Sequence, residues 1–335
     1  MNIVILDDYQ DAIRKLDCVK EVEHHFNIKI YTSKAKGVSQ LTDRLKDADI
    51  LVLNYARTTI TRQILERSPK LKLIIQIGEL GPHLDIHACN RLKIAVIKGQ
   101  ENQNSVAEFT WALIMTVMRR IPQYANMLRH GGWQQSGFKQ ASMPVNFALG
   151  TTLRGKTLGI WGLGYVGSLV ASYGKNFGMN VLVWGGEKTH QKAHELGYAT
   201  ARSRNELFQT SDILSIHLRL NESNYHIIGL HDLLLMKPTA LFVNTANAAL
   251  VDTEALVTAL GRGTPGLAAI DVYDNEPIMQ GHALLRLENS ICTPHIANVD
   301  KESIEHHYQT AFQHILDYMH KQTLPTINNT PLRYN

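Results

Sequence analysis

The sequence predicts an α/β protein built as two doubly wound parallel-sheet domains. Three observations predict it. Short apolar runs alternate with helix-compatible segments, the alternation forms two series separated by a long apolar helix, and a glycine-rich turn opens the second series. A chain of 335 residues is too long for one small core and fits two domains of ordinary size.

The first series starts with Ile3–Leu6, an apolar run closed by Asp7-Asp8, which reads as a buried parallel strand ending in a loop. Runs of the same kind recur at Ile28–Tyr31, Ile50–Leu53, Leu73–Ile77 and Ile94–Ile97. Between them the spacing predicts helices over Tyr9–Val19, Ser39–Lys46, Thr61–Arg67 and His83–Arg91. Ser105 followed by Glu108 is a capping-box pair, so a helix is predicted to begin there and run to Arg120. Its apolar residues lie nearly all round, which predicts burial on most sides, as between two domains. Gly131-Gly132 and the polar stretch to Thr152 form an irregular excursion.

Strands of the second series are predicted at Thr157–Trp161, Asn180–Trp184, Ile213–His217, Ala240–Asn244, Ala268–Asp271 and Ser290–Thr293. Helices are predicted over Tyr165–Phe177, Lys188–Leu196, Arg204–Gln209, His231–Leu235 and Thr253–Gly261. The last segment, Lys301–Lys321, has helical spacing and no strand after it, so it needs a partner, and the first domain is the one to supply it. The expected organisation is therefore a discontinuous first domain, residues 1–102 and 297–335, with residues 103–296 inserted as the second.

Composition excludes several classes. Hydrophobic residues make up 44% and charged residues 19%, which is globular. The formal charge of +4 is small and scattered, so no nucleic-acid partner is expected. Three cysteines without CxxC spacing fit a reducing compartment. Sixteen histidines raise the question of a metal, but no HExxH or paired Cys/His spacing occurs, so none is expected. The N-terminus carries acids where a signal peptide needs a basic start, and no stretch reaches membrane-spanning length. The expectation is a cytoplasmic protein with no membrane partner.

Gly162-Leu-Gly-Tyr-Val-Gly167 is a G-x-G-x-x-G that follows a predicted strand and opens an amphipathic helix, the context of a dinucleotide site. Gly162 permits the tight turn, Gly164 lets the backbone approach a pyrophosphate, and Gly167 lets the helix pack on the strand. Tyr165 and Val166 belong to the same cofactor-binding turn. The acid expected at the end of the next strand is absent, since Gly185 stands there. Either Glu187 reaches the ribose of NAD, or Lys188 and His190 meet the 2′-phosphate of NADP. The cofactor is thus NAD or NADP.

The runs Val243-Asn-Thr-Ala-Asn-Ala-Ala-Leu-Val-Asp252, Ala269-Ile-Asp-Val-Tyr-Asp-Asn-Glu-Pro277 and Thr293-Pro-His-Ile-Ala297 resemble the D-2-hydroxyacid dehydrogenases. Similar too are Leu153-Arg-Gly-Lys-Thr-Leu-Gly-Ile160, Met236-Lys-Pro238 and Ser105-Val-Ala-Glu108. The resemblance spans essentially the whole chain. It implies a Rossmann-type cofactor domain inserted in a flavodoxin-like substrate domain, a homodimer, and hydride transfer between a nicotinamide and C2 of a 2-keto or 2-hydroxy acid. By position it makes His295 the general acid and Glu276 its partner carboxylate. It makes Asp271 the acceptor for the nicotinamide carboxamide, and places His217 and Thr245 against the cofactor. The dimer would use the helix near Ser105. The segment Gly131–Gly150, with Trp133 and Phe138, either reaches across to the partner or is a surface loop.

One departure touches the chemistry. Asn247 stands where the family usually has an arginine that forks onto the substrate carboxylate and keto oxygen. Arg57 and Tyr55, after the third strand, are candidates to face the substrate instead. The loop Gly78–His83 occupies the place where relatives offer backbone N–H groups to a carboxylate, and Glu79 adds a negative charge there. Two readings follow: an NAD(P)-dependent oxidoreductase acting on a 2-hydroxy or 2-keto acid with atypical substrate preference, or a catalytically weak or silent NAD(P)-binding sensor or scaffold.

Overall fold

The computed structural model describes residues 1–99, 102–134, 149–320 and 326–328. The chain divides into two compact units, Met1–Asn102 with Val299–Asn335, and Gln103–Asn298.

The first unit is a five-stranded parallel sheet of β1 (Asn2–Ile5), β2 (Asn27–Ile30), β3 (Ile50–Asn54), β4 (Leu73–Ile77) and β5 (Ala95–Lys98). Its order is β2-β1-β3-β4-β5, the flavodoxin-like order. The central strands β3 and β4 are buried at every position, while the edge strand β2 alternates exposed and half-buried. That is why β3 and β4 read as unbroken apolar runs: both faces of a parallel sheet are covered by helices. Ile3, Ile5, Ile50 and Ile75 pack on one face with Tyr308, Phe312 and Ile315 from the helix Lys301–Met319. Each such side chain contributes roughly 1.5–3 kcal/mol by its burial. The C-terminal helix thus completes the core of the first unit. Asp300 starts it by accepting the Ser303 N–H at 2.8 Å.

The second unit is a seven-stranded parallel sheet: β6 (Thr157–Trp161), β7 (Asn180–Trp184), β8 (Ala199–Thr200), β9 (Ile213–Ile216), β10 (Leu241–Asn244), β11 (Leu267–Ile270) and β12 (Ser290–Cys292). Its order is β12-β11-β10-β9-β6-β7-β8, so the chain reverses direction across the sheet between β6 and β9. This is the Rossmann arrangement, whose ligands lie outside the carboxyl ends of the strands at that reversal. The helix Gln103–Met118 packs against the helix Tyr165–Asn176 on one face.

Two expectations are corrected and one element is new. Tyr9–Val19 is not one helix, because the Asp8 carboxylate accepts the Ala12 and Ile13 N–H groups at 3.1 and 3.0 Å and Asp11 is left-handed (φ 49°). Only a 3₁₀ turn, Ile13–Lys15, and a short helix, Asp17–Val22, form there. Ser105 is not an N-cap. The helix begins at Gln103, and the Ser105 hydroxyl donates instead to the Ala297 carbonyl at 2.7 Å. A helix over Ile121–Arg129 was not expected; it starts after the left-handed Arg120 (φ 58°), with Pro122 in its first turn. Phe138 lies outside the described residues. Among the described residues, no helix is long and apolar enough to cross a membrane.

Candidate active site

The glycine turn joins β6 to the helix Tyr165–Asn176. Gly162 is left-handed (φ 96°), and its N–H donates to the Trp184 carbonyl at 3.0 Å. A Cβ on Gly162 would fall 2.7 Å from the His217 carbonyl oxygen, and one on Gly167 would fall 2.1 Å from the Gly162 carbonyl oxygen. Neither position admits a side chain without moving backbone. A Cβ on Gly164 would meet nothing within 4 Å, and no side chain caps the helix that starts there. Bare backbone N–H groups at a helix entrance, above a turn that two glycines hold close, form a cradle suited to a pyrophosphate. Val166 is half-buried against the core, and exposed Tyr165 donates its hydroxyl to Asn104 Oδ1 at 2.9 Å.

His217 and Thr245 support this region through contacts within the protein. The backbone and Cβ of His217 lie under the glycine turn, and its Nε2 is 2.9 Å from Ser215 Oγ. Burial pushes its pKa down to about 4, so the imidazole is neutral. The Thr245 hydroxyl is buried 2.7 Å from that of Thr110, which itself donates to the Val106 carbonyl.

At the end of β7, a side chain on Gly185 would meet Thr189 at 2.7 Å. Glu187 opens the next helix, Glu187–Glu195, and is exposed, as is Lys188. His190 sets its ring against Trp184 (centroids 5.4 Å apart), with Nε2 buried and unpartnered. Lys192, which has the look of an ordinary helix lysine in the sequence, donates from Nζ to the Leu163 carbonyl in the glycine turn at 3.0 Å.

His295 and Glu276 meet. His295 Nδ1 lies 2.9 and 2.8 Å from the two Glu276 oxygens. The carboxylate is itself held by the Tyr273 N–H, 3.1 Å from Oε1. A carboxylate on Nδ1 fixes the tautomer with the proton there, so Nε2 is the nitrogen that takes or gives a proton. His295 is left-handed (φ 52°) and 41% exposed on its side chain, so the ring is strained into position yet reachable.

Asp271 holds that loop. Its Oδ1 accepts the Thr293 hydroxyl at 2.6 Å and the Ile296 N–H at 3.0 Å, and its Oδ2 accepts the Ala297 N–H at 3.0 Å. The residue is 0% exposed, and burial raises its carboxyl above the usual range despite those bonds. Asp271 thus anchors the segment carrying His295. Asn247 is likewise engaged. It caps the 3₁₀ turn Ala248–Leu250, its Oδ1 accepting the Ala249 N–H at 3.0 Å.

In the first unit, Tyr55 is left-handed (φ 52°), with its carbonyl held by Gln76 Nε2 at 3.1 Å and its hydroxyl 3.2 Å from His307 Nδ1. Half-buried Arg57 donates to the Asp7 carbonyl at 2.7 Å and lies 5.1 and 5.6 Å from the Tyr9 and Tyr55 ring centres. Thr58 donates to Asp7 Oδ2 at 2.6 Å, while buried Asp7 Oδ1 has no partner. These groups surround the carboxyl ends of β1 and β3, where the sheet order reverses. Gly78 is left-handed (φ 87°), and Glu79 is paired with Lys98 at 2.6 Å, which offsets its charge. Gln76, His307 and Asp7 carried no sequence signal, since each matters only through a partner distant in the chain.

A profile of the D-isomer specific 2-hydroxyacid dehydrogenase NAD-binding domain matches residues 111–297. The chain belongs to the D-2-hydroxyacid dehydrogenase family, an oxidoreductase family with a nicotinamide cofactor. It is 36% identical over 294 residues to glyoxylate reductase of Aeropyrum pernix, covering 86% of this chain and 85% of that protein. It is 35% identical over 297 residues to D-3-phosphoglycerate dehydrogenase of Methanocaldococcus jannaschii, covering 88% of this chain and 53% of that one. Among solved structures, phosphoglycerate oxidoreductase from Vibrio cholerae superposes with a TM-score of 0.90 at 41% identity, covering 96% of this chain and 99% of that chain. An oxidoreductase from Ralstonia solanacearum superposes with 0.96 at 51% identity, covering 98% and 97%. The glycine cradle fits the family's cofactor.

Proposed function

We propose that the protein is an NAD(P)-dependent oxidoreductase acting on a 2-keto or 2-hydroxy acid, with a substrate preference set by groups other than a residue-247 arginine. The observation that carries this reading is the His295–Glu276 pair, 2.8 and 2.9 Å apart, in the same unit as the glycine cradle. When bound, the nicotinamide supplies or accepts the hydride. The chain's part is the proton. His295 Nε2 delivers it to the substrate oxygen during reduction and recovers it during oxidation. Glu276 stabilises the imidazolium and orients it, and Asp271 fixes the backbone on which His295 stands.

For the substrate carboxylate we propose Arg57, which follows β3, as the candidate guanidinium. Tyr55, the backbone at Gly78 and the Lys98-paired Glu79 are its neighbours in the assignment. The aromatic faces beside Arg57 and its bond to a backbone carbonyl hold the guanidinium plane in place, which favours a forked grip on a carboxylate. Exposed apolar residues Ile121, Leu128 and Trp133 support a homodimer.

The test is oxidation of NADH and NADPH with glyoxylate, hydroxypyruvate and bulkier 2-keto acids. Turnover is expected, and His295→Asn or Glu276→Gln should lower kcat by about 10²–10⁴. Absence of turnover with the whole panel, with cofactor binding intact, overturns the catalytic reading. A second reading, a cofactor-binding sensor without catalysis, is favoured by one observation: the Asn247 side chain is engaged in capping its own turn.

A further inference from the structure

The end of β7 is where a Rossmann unit meets the ribose of the adenosine half of its cofactor, and an acid there accepts the 2′-hydroxyl of NAD. In this chain Gly185 stands at that place, and the space a side chain would enter is filled by Thr189, whose Oγ1 and Cγ2 lie 2.7 Å from the would-be Cβ. The next position, Gly186, brings bare backbone with nothing within 4 Å of a Cβ. No carboxylate therefore projects from the strand end.

A cation is held on the glycine turn, which the Gly162 N–H ties to the Trp184 carbonyl at the end of β7 (3.0 Å). Lys192 reaches from the helix after β7 to the carbonyl of Leu163, between the first two glycines of the cradle, at 3.0 Å. It is half-buried, and no carboxylate among the described residues forms an ion pair with it. A carbonyl takes one of the three ammonium donors and leaves two for a ligand. The acid in this segment, Glu187, is exposed on the first turn of the helix, and the exposed Lys188 follows it.

We infer that this chain selects NADP(H) over NAD(H), and that Lys192 is the residue that makes the selection by pairing with the 2′-phosphate. The inference rests on the glycine cradle as the dinucleotide site. A 2′-phosphate is a multiply charged acceptor that suits an ammonium already fixed on the glycine turn, with no carboxylate projecting from the strand end. The 2′-hydroxyl of NAD lacks the carboxylate acceptor it would have in an NAD-selective unit. One charge-assisted contact of this kind corresponds to about a 10- to 100-fold difference in affinity.

The test is calorimetric titration of the purified full chain with NADP⁺, NAD⁺, 2′,5′-ADP and 5′-AMP. NADP⁺ is expected to bind at least tenfold more tightly than NAD⁺, and 2′,5′-ADP more tightly than 5′-AMP. Lys192→Met should weaken NADP⁺ about tenfold and leave NAD⁺ within about threefold, while Lys192→Arg keeps the preference. Equal or tighter binding of NAD⁺ by the wild type overturns the inference, as does an equal loss for both dinucleotides in Lys192→Met, which would make Lys192 a support for the turn alone. A Glu187→Gln variant that loses NAD⁺ affinity selectively also overturns it. Failure of the wild type to bind either dinucleotide would instead sink the cradle reading itself. The wild-type preference and the arginine variant keep the inference exposed should the methionine variant fold poorly.

Discussion

Replacing Asn247 with arginine separates what the present residue does for the fold from what a guanidinium does for the reaction. The Asn247 side chain accepts the Ala249 N–H at 3.0 Å, capping the turn that follows β10. Losing such a cap costs about 1 kcal/mol, or roughly 2–4 °C in Tm for a unit of this size. The backbone at 247 stays in place, because its carbonyl and N–H are both held by Asn244, at 2.9 and 3.3 Å. An arginine there starts from a defined backbone and brings a forked, charged donor. Gaining that charge-assisted pair in the transition state is worth about 2–4 kcal/mol, or roughly 10²–10³ in kcat/KM. Asn247→Arg should therefore become more active and slightly less stable. Initial rates of glyoxylate and hydroxypyruvate reduction, read alongside thermal melts, measure both. Asn247→Ala is the control, since it loses the same cap and gains no charge. If the arginine variant is no faster than the alanine variant, the reasoning about the missing guanidinium is wrong.

Two other outcomes follow from geometry and burial. Gly167→Ala places a methyl 2.1 Å from the Gly162 carbonyl oxygen, so the turn must move. The expected result is a loss of stability of about 1–3 kcal/mol and at least a tenfold loss of dinucleotide affinity, measured by denaturation and titration; unchanged affinity would mean the turn is not the cradle. The second concerns acid. His307 is 2% exposed, and burial pushes its pKa down to about 4, from about 6.5 in an unfolded chain. A depressed histidine is neutral in the fold, so its contribution is fully present above pH ~6.5, falls as pH drops, and is gone below about 4, a change of roughly 3 kcal/mol. His83, His217 and His314 are also lowered and act in the same direction. His307→Gln should reduce proton uptake on unfolding near pH 5 by about one proton. An unchanged uptake would show that His307 is not the neutral, buried group described.

Much of the architecture was legible in the sequence because buried parallel strands are unbroken apolar runs, and such runs mark β3, β4, β6 and β10 with little ambiguity. Failures came where a side chain competes with the helix for backbone N–H groups. Asp8 broke the segment after β1 in this way. Ser105 failed differently: its hydroxyl found a carbonyl far along the chain, at Ala297, and left the helix to begin earlier.

The candidate site divides along the same line. Local order in the sequence determined the glycine turn, since Gly162, Gly164 and Gly167 act through spacing on one strand-turn-helix, and it placed His295 and Glu276 in motifs whose types suit proton transfer. Tertiary structure alone decided how these groups are used. It anchored the His295 loop on Asp271, gave Asn247 the work of a cap, paired Glu79 with Lys98, and brought Lys192 onto the glycine turn. The physical reason is that a side chain's donors and acceptors are satisfied by whatever the fold brings within hydrogen-bond reach, and those partners are set by packing rather than by neighbours in the chain.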